Sequence, residues 1–515
     1  MRTGPLNTTG VLIAVLCSAL AVSIGGAPVA GAAPGPDKAK LKKQNKRERL
    51  RQLRRKNKKQ KRPNVILIST DDQNQTDMFV MSITQSLLGG RGTTFENSFV
   101  SYPLCCPSRA TQLTGQYAHN HGVLTTDLPN GYNGLDHSNT LAVWLRRAKY
   151  RTAMVGKYLN SYGINDNIPE PVSDAREIPP GWAQWFALTG GTDQKRYNFK
   201  LNENGKVRRY GKGARNYVTD VLNSKVNELL KRWTIRPKPF FLYFNPTAPH
   251  GEQGAPFFST RDPQPAPRHL GLLGDITAPR TPNFNEANVS DKPDLIKDLP
   301  RLTDAQIADV DRRYRGRLES LLAVDEAVKR IFNRVKKYGD KRKTFFIFTS
   351  DNGLQLGSHR IMFKDYLYEE SERVPLIIRG PGIPAGVTRN QFVSNVDLAP
   401  TILDITNVRP GRTADGISLL PLAGDPGAGA NRDLLFEVFD FGGIFGIRRG
   451  PWKLNEYANG DRELYNLNTD AYEERNLLYD PPGLGNDPSP EHVALANELA
   501  ARLAQLRACA GASCR

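Results

Sequence analysis

Residues 64–72 read "NVILISTDD" and join a run of apolar and β-branched residues to two adjacent aspartates. An apolar run of this length is typical of a strand that is buried on both faces, as in a parallel sheet. Four similar runs follow along the chain, at residues 151–156, 239–244, 344–350 and 374–380. Helical periodicity separates them, most clearly in residues 311–339. The pattern predicts an α/β domain built on a mainly parallel sheet flanked by helices.

Changes in composition divide the chain into four segments. Residues 1–33 hold one early Arg, an apolar stretch and then small residues, which is the layout of a secretory signal peptide. The apolar stretch is shorter than the roughly 20 residues that a membrane span needs, so we expect secretion and no transmembrane anchor. Residues 34–62 are predicted to be a basic disordered linker and residues 63–429 the α/β domain. Residues 430–515 are predicted to be a small C-terminal α+β subdomain with an antiparallel sheet and a closing helix.

The positive charge of the chain is concentrated in its linker. Residues 38–62 hold 15 Lys and Arg residues against Glu48 alone, so they contribute +14 of the net charge of +19 and leave +5 for the rest. The rest of the chain, with a net charge of +5, is close to neutral. This argues against a specific nucleic-acid-binding protein. We favour a disordered or fraying helical linker over an electrostatic tether to a polyanion, although tethering is a possible use of such a linker.

The chain has five cysteines, and two of them are adjacent. Cys509 and Cys514 could close a small disulfide loop in an oxidising compartment. A bridge between the neighbours Cys105 and Cys106 would strain the backbone. We therefore predict that the adjacent pair serves chemistry and not structural cross-linking.

Polar side chains follow four of the predicted strands. They are Asp71 and Asp72, then Lys157, then His250, and finally Asp351 with Asn352. In open α/β sheets the ligand site lies beyond the carboxyl ends of the strands. An Asp after a strand is more often a turn or cap residue, so each signal is weak alone. Together the oxygen donors suit a hard cation, Ca²⁺ or Mg²⁺, better than zinc.

Residues 105–115 read "CCPSRATQLTG" and resemble the Cys-x-Pro-Ser-Arg signature of the formylglycine-dependent (type I) sulfatase family. The stretches "ILISTDDQ", "GKYLNSYG" and "FTSDNG" match other blocks of that family in order. Within the family, "HNHGV", "PPGWAQW", "TAPHG" and "LLAVDEAV" look most similar to N-acetylglucosamine-6-sulfatases and extracellular heparan endosulfatases. The resemblance extends over residues 63–480 and implies an alkaline-phosphatase-like fold.

The resemblance also implies the chemistry of each candidate residue. Cys105 would be oxidised by a formylglycine-generating enzyme to formylglycine (3-oxoalanine), whose hydrate attacks sulfur, and Cys106 is the variable position. One Ca²⁺ ion would be bound by the residue at position 105 together with Asp71, Asp72, Asp351 and Asn352. Arg109 would hold the hydrate, and the sulfate oxygens would be contacted by Lys157, His250 and Lys364.

One position departs from the family pattern. Many sulfatases have Lys-x-His after the second strand, but here Leu159 occupies the His position. That His is often assigned to the expulsion of sulfate, so the identity of this base stays open. His119 and His121 are candidates, although a structural role beside the helix is the favoured interpretation.

The sequence therefore predicts a secreted, Ca²⁺-dependent sulfatase. Its substrate would be a sulfate monoester, in the first place the 6-O-sulfate of an N-acetylglucosamine-type sugar or glycosaminoglycan. One alternative is a formylglycine-dependent phosphonate or phosphate ester hydrolase of the same superfamily. Another is a non-catalytic protein that binds polyanions through residues 38–62.

Overall fold

The structure is a computed structural model that describes the chain in nine ranges. The described residues are 38–58, 62–126, 130–164, 174–234, 238–252, 263–338, 343–429, 432–479 and 488–515. The predicted signal peptide, residues 1–33, lies outside them. The chain divides into two compact units, residues 1–49 and residues 50–515. Along the described ranges, every helix is too short or too polar to cross a membrane.

The helices and strands alternate over most of the chain. The helices are α1 (Lys38–Lys58), α2 (Ser82–Leu87), α3 (Cys105–Thr114), α4 (Ala118–His121), α5 (Leu141–Arg147), α6 (Val218–Trp233), α7 (Asp294–Lys297), α8 (Asp304–Tyr338), α9 (Glu369–Glu372), α10 (Leu398–Thr406), α11 (Leu420–Gly424) and α12 (Pro490–Arg507). The strands are β1 (Asn64–Thr70), β2 (Thr93–Phe95), β3 (Ser98–Phe99), β4 (Arg151–Gly156), β5 (Gln184–Thr189), β6 (Lys200–Glu203), β7 (Lys206–Arg209), β8 (Phe240–Asn245), β9 (Thr344–Ser350), β10 (Leu376–Arg379), β11 (Val387–Arg389), β12 (Val393–Ser394), β13 (Leu434–Val438), β14 (Ile444–Arg449), β15 (Trp452–Tyr457) and β16 (Arg462–Asn466).

The large sheet has ten strands in the order β11-β2-β10-β9-β1-β8-β4-β5-β6-β7. Its central strands β9, β1, β8, β4 and β5 are parallel, as predicted. The sheet as a whole is mixed, because β10 runs antiparallel to β9 and the β6–β7 hairpin extends the other side antiparallel to β5. The prediction of an α/β core with a parallel centre is confirmed.

Each face of the sheet is covered by helices. Because side chains alternate along a strand, Val65 and Leu67 of β1 face one core while Ile66 and Ile68 face the other. The first core contains residues of α3, α5 and α10, and the second contains residues of α6 and α8. Burial of each such side chain stabilises the fold by about 1.5–3 kcal/mol. The two cores fix the position of β1 and of the aspartates that follow it.

A separate four-stranded antiparallel sheet, β13-β14-β15-β16, lies near the C-terminus, and α12 packs against it. This matches the predicted antiparallel sheet and closing helix. The predicted disulfide is also present, with the Cα atoms of Cys509 and Cys514 5.0 Å apart. Cys105 and Cys106 are both free and buried.

Residues Lys38–Lys58 form the helix α1, within the segment for which the sequence predicts a disordered or fraying helical linker. The segment is composed largely of Lys, Arg, Gln and Leu, which have high helix propensity, and it contains neither Gly nor Pro. Only three leucines interrupt its polar surface. The formation of α1 is explained by its high helix propensity and not by an apolar face.

Candidate active site

The pair Asp71–Asp72 after β1 meets the pair Asp351–Asn352 after β9 at the ends of these two strands. Parallel pairing of these strands brings Thr70 opposite Ser350. The Asp351 N–H donates to the Thr70 carbonyl at 3.1 Å, and the Asp72 N–H donates to Asp351 Oδ1 at 3.0 Å. The structure thus brings together the acidic residues that the sequence placed at separate strand ends.

The strands β4 and β8 are followed by a lysine and a histidine at the same edge. Lys157 directly follows β4, and its Nζ lies 2.9 Å from Asp71 Oδ2. His250 lies in the loop after β8, with Nε2 3.5 Å from Asp72 Oδ2. Its Nδ1 lies 2.7 Å from the Gly251 carbonyl, which orients the ring. Lys157 and His250 therefore face the aspartates, as the strand-end pattern indicated.

Cys105 is the first residue of α3, which points its N-terminus at the aspartates. Its Sγ lies 3.6 Å from Asp71 Oδ1 and 3.9 Å from Asp72 Oδ1. Lys364 donates to the same sulfur at 2.8 Å. The unpaired amides of a helix N-terminus give positive potential, so this position favours an anionic ligand.

Arg109 lies one helical turn after Cys105. Its Nε donates to Asp351 Oδ2 at 2.8 Å, and its Nη1 donates to the Lys157 carbonyl at 3.1 Å. The guanidinium is almost completely buried. Its planar donor geometry joins α3 to the ends of two strands, β9 and β4.

Opposite charges pack densely in this site, and they shift the pKa values of the carboxyl groups. Burial would raise the pKa of Asp71, but the charges of Lys157, His250 and Arg109 hold it below its usual range. Burial likewise acts on Asp72, whose pKa is lowered mainly by Lys364. Asp351 differs, because burial and the two neighbouring aspartates raise its pKa to about 6 despite Arg109. Burial is the largest cause of the raised pKa of Asp351, and Arg109 offsets only part of it.

The donor set fits a hard divalent cation. Ligand atoms of Asp71, Asp72, Cys105 and His250 all lie within 4.8 Å of one another. Asp351 and Asn352 adjoin them, and Asn352 Nδ2 donates to Asp72 Oδ1 at 2.6 Å. A 180° rotation of this side-chain amide would exchange its oxygen and nitrogen, so that the oxygen would lie where the nitrogen now lies. Buried carboxylates whose charges repel are the oxygen ligands that Ca²⁺ binds.

Three other candidate positions lie outside this cluster. His119 contacts Glu437 and, at 2.9 Å, the Cys509 carbonyl. His121 Nε2 lies 3.0 Å from Thr111 Oγ1, inside the fold. Leu159 is packed in the hydrophobic core. The structure therefore gives both histidines the structural role that the sequence analysis favoured.

Two buried arginines that were not predicted from the sequence hold the site in place. Arg317 of α8 donates to the carbonyl of Asp72, which has a left-handed backbone with φ of 68°. Arg196 donates to the carbonyls of Thr247 and His250 and so fixes the loop after β8. A signal for Arg317 exists, since it falls within the apolar stripe of α8 where a solvated charge is not expected.

Comparison with known proteins yields consistent matches. Residues 63–408 match the Sulfatase family, and residues 357–508 match the family "N-sulphoglucosamine sulphohydrolase, C-terminal". N-acetylglucosamine-6-sulfatase of Capra hircus is 33% identical over 494 residues, which cover 88% of this chain and 85% of the relative. A putative extracellular sulfatase Sulf-1 homolog of Caenorhabditis elegans is 37% identical over 370 residues, which cover 70% of this chain and 49% of the relative.

A solved structure gives the same picture at the level of the fold. It shows a protein "in complex with its substrate D-Glucosamine-2-N, 6-O-disulfate" and superimposes with a TM-score of 0.70 at 25% sequence identity. The match covers 87% of this chain and 98% of that protein. It therefore includes both the large sheet and the C-terminal antiparallel sheet.

Proposed function

The chain belongs to the sulfatase family and is a sulfuric ester hydrolase, and from this premise we propose that it is a secreted enzyme that removes 6-O-sulfate from N-acetylglucosamine-type sugars. The observation that carries the proposal is the position of Cys105, at the start of a helix and within 3.6 Å of Asp71 Oδ1. The names of the relatives, which act on glucosamine-type sulfates, support the substrate class.

Cys105 would be converted to formylglycine by a formylglycine-generating enzyme. The hydrated aldehyde would supply a hydroxyl nucleophile for attack on sulfur. The protein's own contribution is placement, since α3 begins at position 105 and the Nζ of Lys364 lies 2.8 Å from the sulfur of Cys105. Arg109 would hold the hydrate from one turn further along the same helix.

One Ca²⁺ ion would be held by Asp71, Asp72, Asp351 and Asn352 with an oxygen at position 105. When bound, it would act as a Lewis acid and offset the charge of the nucleophile and the sulfate. The protein orients these ligands through its backbone, because the Asp72 and Asn352 N–H groups both donate to Asp351 Oδ1. A metal in this place would favour the ionised form of Asp351, whose pKa is raised mainly by burial.

Lys157, His250 and Lys364 would contact the sulfate oxygens. All three are held in place before substrate arrives, since each faces Asp71 or Asp72. Donors fixed in a buried site stabilise developing negative charge with little reorganisation. This arrangement suits the transfer of a sulfuryl group from a sugar hydroxyl.

Secretion rests on the predicted signal peptide at residues 1–33. The Cys509–Cys514 disulfide supports it, because disulfides persist in oxidising compartments. A relative that is named an extracellular sulfatase also supports it. A sulfated glycosaminoglycan outside the cell is a substrate compatible with this location.

The experiment compares the hydrolysis of several esters by the protein. The protein is produced together with a formylglycine-generating enzyme. We expect sulfate release from N-acetylglucosamine 6-sulfate to exceed release from the 3-sulfate isomer by about 100-fold or more in kcat/KM, since a pocket that pairs polar groups discriminates strongly. Aryl phosphate and phosphonate monoesters are the competing substrates. Faster turnover of a phosphonate ester than of any sulfate ester would refute the proposal.

A further inference from the structure

The segment that follows Lys364 is fastened to the C-terminal antiparallel sheet. Asn455 of β15 donates from Nδ2 to the Leu367 carbonyl at 3.0 Å. The next residue, Tyr368, donates from Oη to Glu463 Oε1 of β16 at 2.6 Å. Two consecutive residues, three and four positions after Lys364, are therefore attached to two neighbouring strands.

Glu463 is the centre of this attachment. Its carboxylate accepts hydrogen bonds from four side chains, which belong to Tyr368, Tyr457, Tyr465 and Asn455. Glu463, Tyr368 and Asn455 are completely buried. A buried carboxylate that is bonded by several donors is rigid, because each broken bond would leave a polar group unpaired in a medium of low dielectric.

The attachment continues into α9. The Glu369 N–H donates to Glu473 Oε2 at 2.9 Å. Lys453 of β15 lies between two acids, with Nζ 2.6 Å from Glu372 Oε2 and 2.8 Å from Glu473 Oε1. The residues that follow Lys364 are thus fixed to the small sheet at several points, while the ammonium of Lys364 reaches Cys105.

We infer that Glu463 is a positioning residue for the sulfate-transfer reaction, which acts through Tyr368 to hold Lys364 against position 105. This inference rests on the proposed function, in which Lys364 contacts sulfate. A lysine side chain has four rotatable bonds, so the place of its ammonium depends on a fixed backbone. Displacement of a reacting geometry by about 1 Å costs a rate factor of about 100.

The test compares two substitutions that each delete one tyrosine hydroxyl that donates to Glu463. Tyr368→Phe removes the bond from the Lys364 segment, and Tyr457→Phe removes a bond of 2.7 Å from within the small sheet. We expect equal losses of Tm, a roughly tenfold lower kcat for Tyr368→Phe, and a kcat within about twofold of the wild type for Tyr457→Phe. Equal kcat values for the two variants would overturn the inference.

A double-mutant cycle separates positioning from general destabilisation. In a Lys364→Ala background, Tyr368→Phe should lower kcat no further, because the group that it positions is already absent. If the two substitutions instead lower kcat by independent factors that multiply, Tyr368 has only a structural role. Glu463→Gln keeps the shape of the side chain and one of its two acceptor oxygens, so its kcat should fall between those of the wild type and Tyr368→Phe.

A binding measurement distinguishes failure of this inference from failure of the proposed function. Inorganic sulfate is the probe, and its stabilisation of the protein is read from the rise in Tm. The sulfate-induced rise should shrink in Tyr368→Phe and persist in Tyr457→Phe, whether or not any sulfate ester is turned over. Absence of turnover in the wild type would count against the proposed function, whereas equal rises in both variants would count against the positioning role.

Discussion

The ammonium of Lys364 lies 2.8 Å from the thiol of Cys105, although 259 positions separate the two residues. Lys364 comes from the segment after β9, and Cys105 opens α3, so the contact joins two separate parts of the large domain. It places a fixed positive charge beside the helix N-terminus. A sulfate group bound at position 105 would therefore meet charge from the protein on two sides.

Cys105→Ala should reduce kcat by a factor of about 1,000 or more, since it removes the group from which the nucleophile is made. Cys106→Ala is the matched control, because it makes the same change at the next residue of the same buried helix turn. It should lose stability through the cavity and keep most of its activity. A tryptic mass spectrum should show formylglycine at position 105 and a thiol at 106. Full activity of a protein whose Cys105 is entirely thiol would contradict this.

Ca²⁺ should stabilise the protein, since under the proposed function it would bind only the folded arrangement of the acidic residues. At 100 times the dissociation constant the gain is about 2.7 kcal/mol. Asp72→Asn should abolish the Ca²⁺-dependent rise in Tm. Asp136→Asn is the control, because that aspartate is exposed and pairs with Arg412 on the surface. A Ca²⁺ response that survives in Asp72→Asn would place the ion elsewhere.

The parallel centre of the sheet and the strand ends were predictable because their signals are local. β1, β4 and β9 each read as one continuous apolar run, and the residues after them share an edge by topology alone. The hairpin of β6 and β7 was not predicted, because its strands "KLNE" and "KVRR" are short and polar. Its Asn204-Gly205 turn, with positive φ at both residues, was an available signal.

The contacts that support the site were not predictable, because they join residues that are distant in sequence. The bond from Tyr368 to Glu463 spans 95 positions, and neither residue lies in a chemical motif. Arg317 falls within the apolar stripe of α8, which signals burial, but the sequence does not show that it donates to the carbonyl of Asp72. The sequence predicts which residues would touch substrate, whereas the residues that hold them in place are found only in the tertiary structure.

Arg317→Met should destabilise the protein by about 3–5 kcal/mol, since it leaves the buried Asp77 without its ion pair. It also frees the Asp72 carbonyl, so activity should fall even below the unfolding temperature. Arg315→Met is the control on the same helix, because Arg315 faces the exposed Asp275 and such pairs contribute about 0–1 kcal/mol. Equal unfolding free energies for the two variants would contradict this account.

Acid should destabilise the fold through His121. Burial lowers the pKa of His121 to about 3, below its ordinary value of 6.5. The unfolded chain therefore binds a proton at a higher pH than the folded protein, and stability is lost as pH falls from 6.5 towards 3. Between pH 7 and 4.5 this one group accounts for about 3 kcal/mol. The unfolding free energy, measured with urea, should fall less between pH 7 and pH 4.5 in His121→Gln than in the wild type. An equal fall in both proteins would contradict the assignment to His121.

The basic helix α1 should matter for a sulfated polymer and not for a small substrate. Residues 38–62 carry +14 of the net charge of +19, and such density should add affinity for a polyanion at low salt. The attraction should weaken at physiological ionic strength, where exposed charges are screened beyond about 8 Å. Deletion of residues 34–62 should raise KM for the polymer at low salt and leave KM for N-acetylglucosamine 6-sulfate unchanged. Replacement of the basic residues by Gln is the matched control, since it removes the charge and keeps the helix propensity. If the deletion raises KM for the polymer and the Gln variant does not, the length of the segment and not its charge causes the effect. If neither variant raises this KM, residues 34–62 are only a linker.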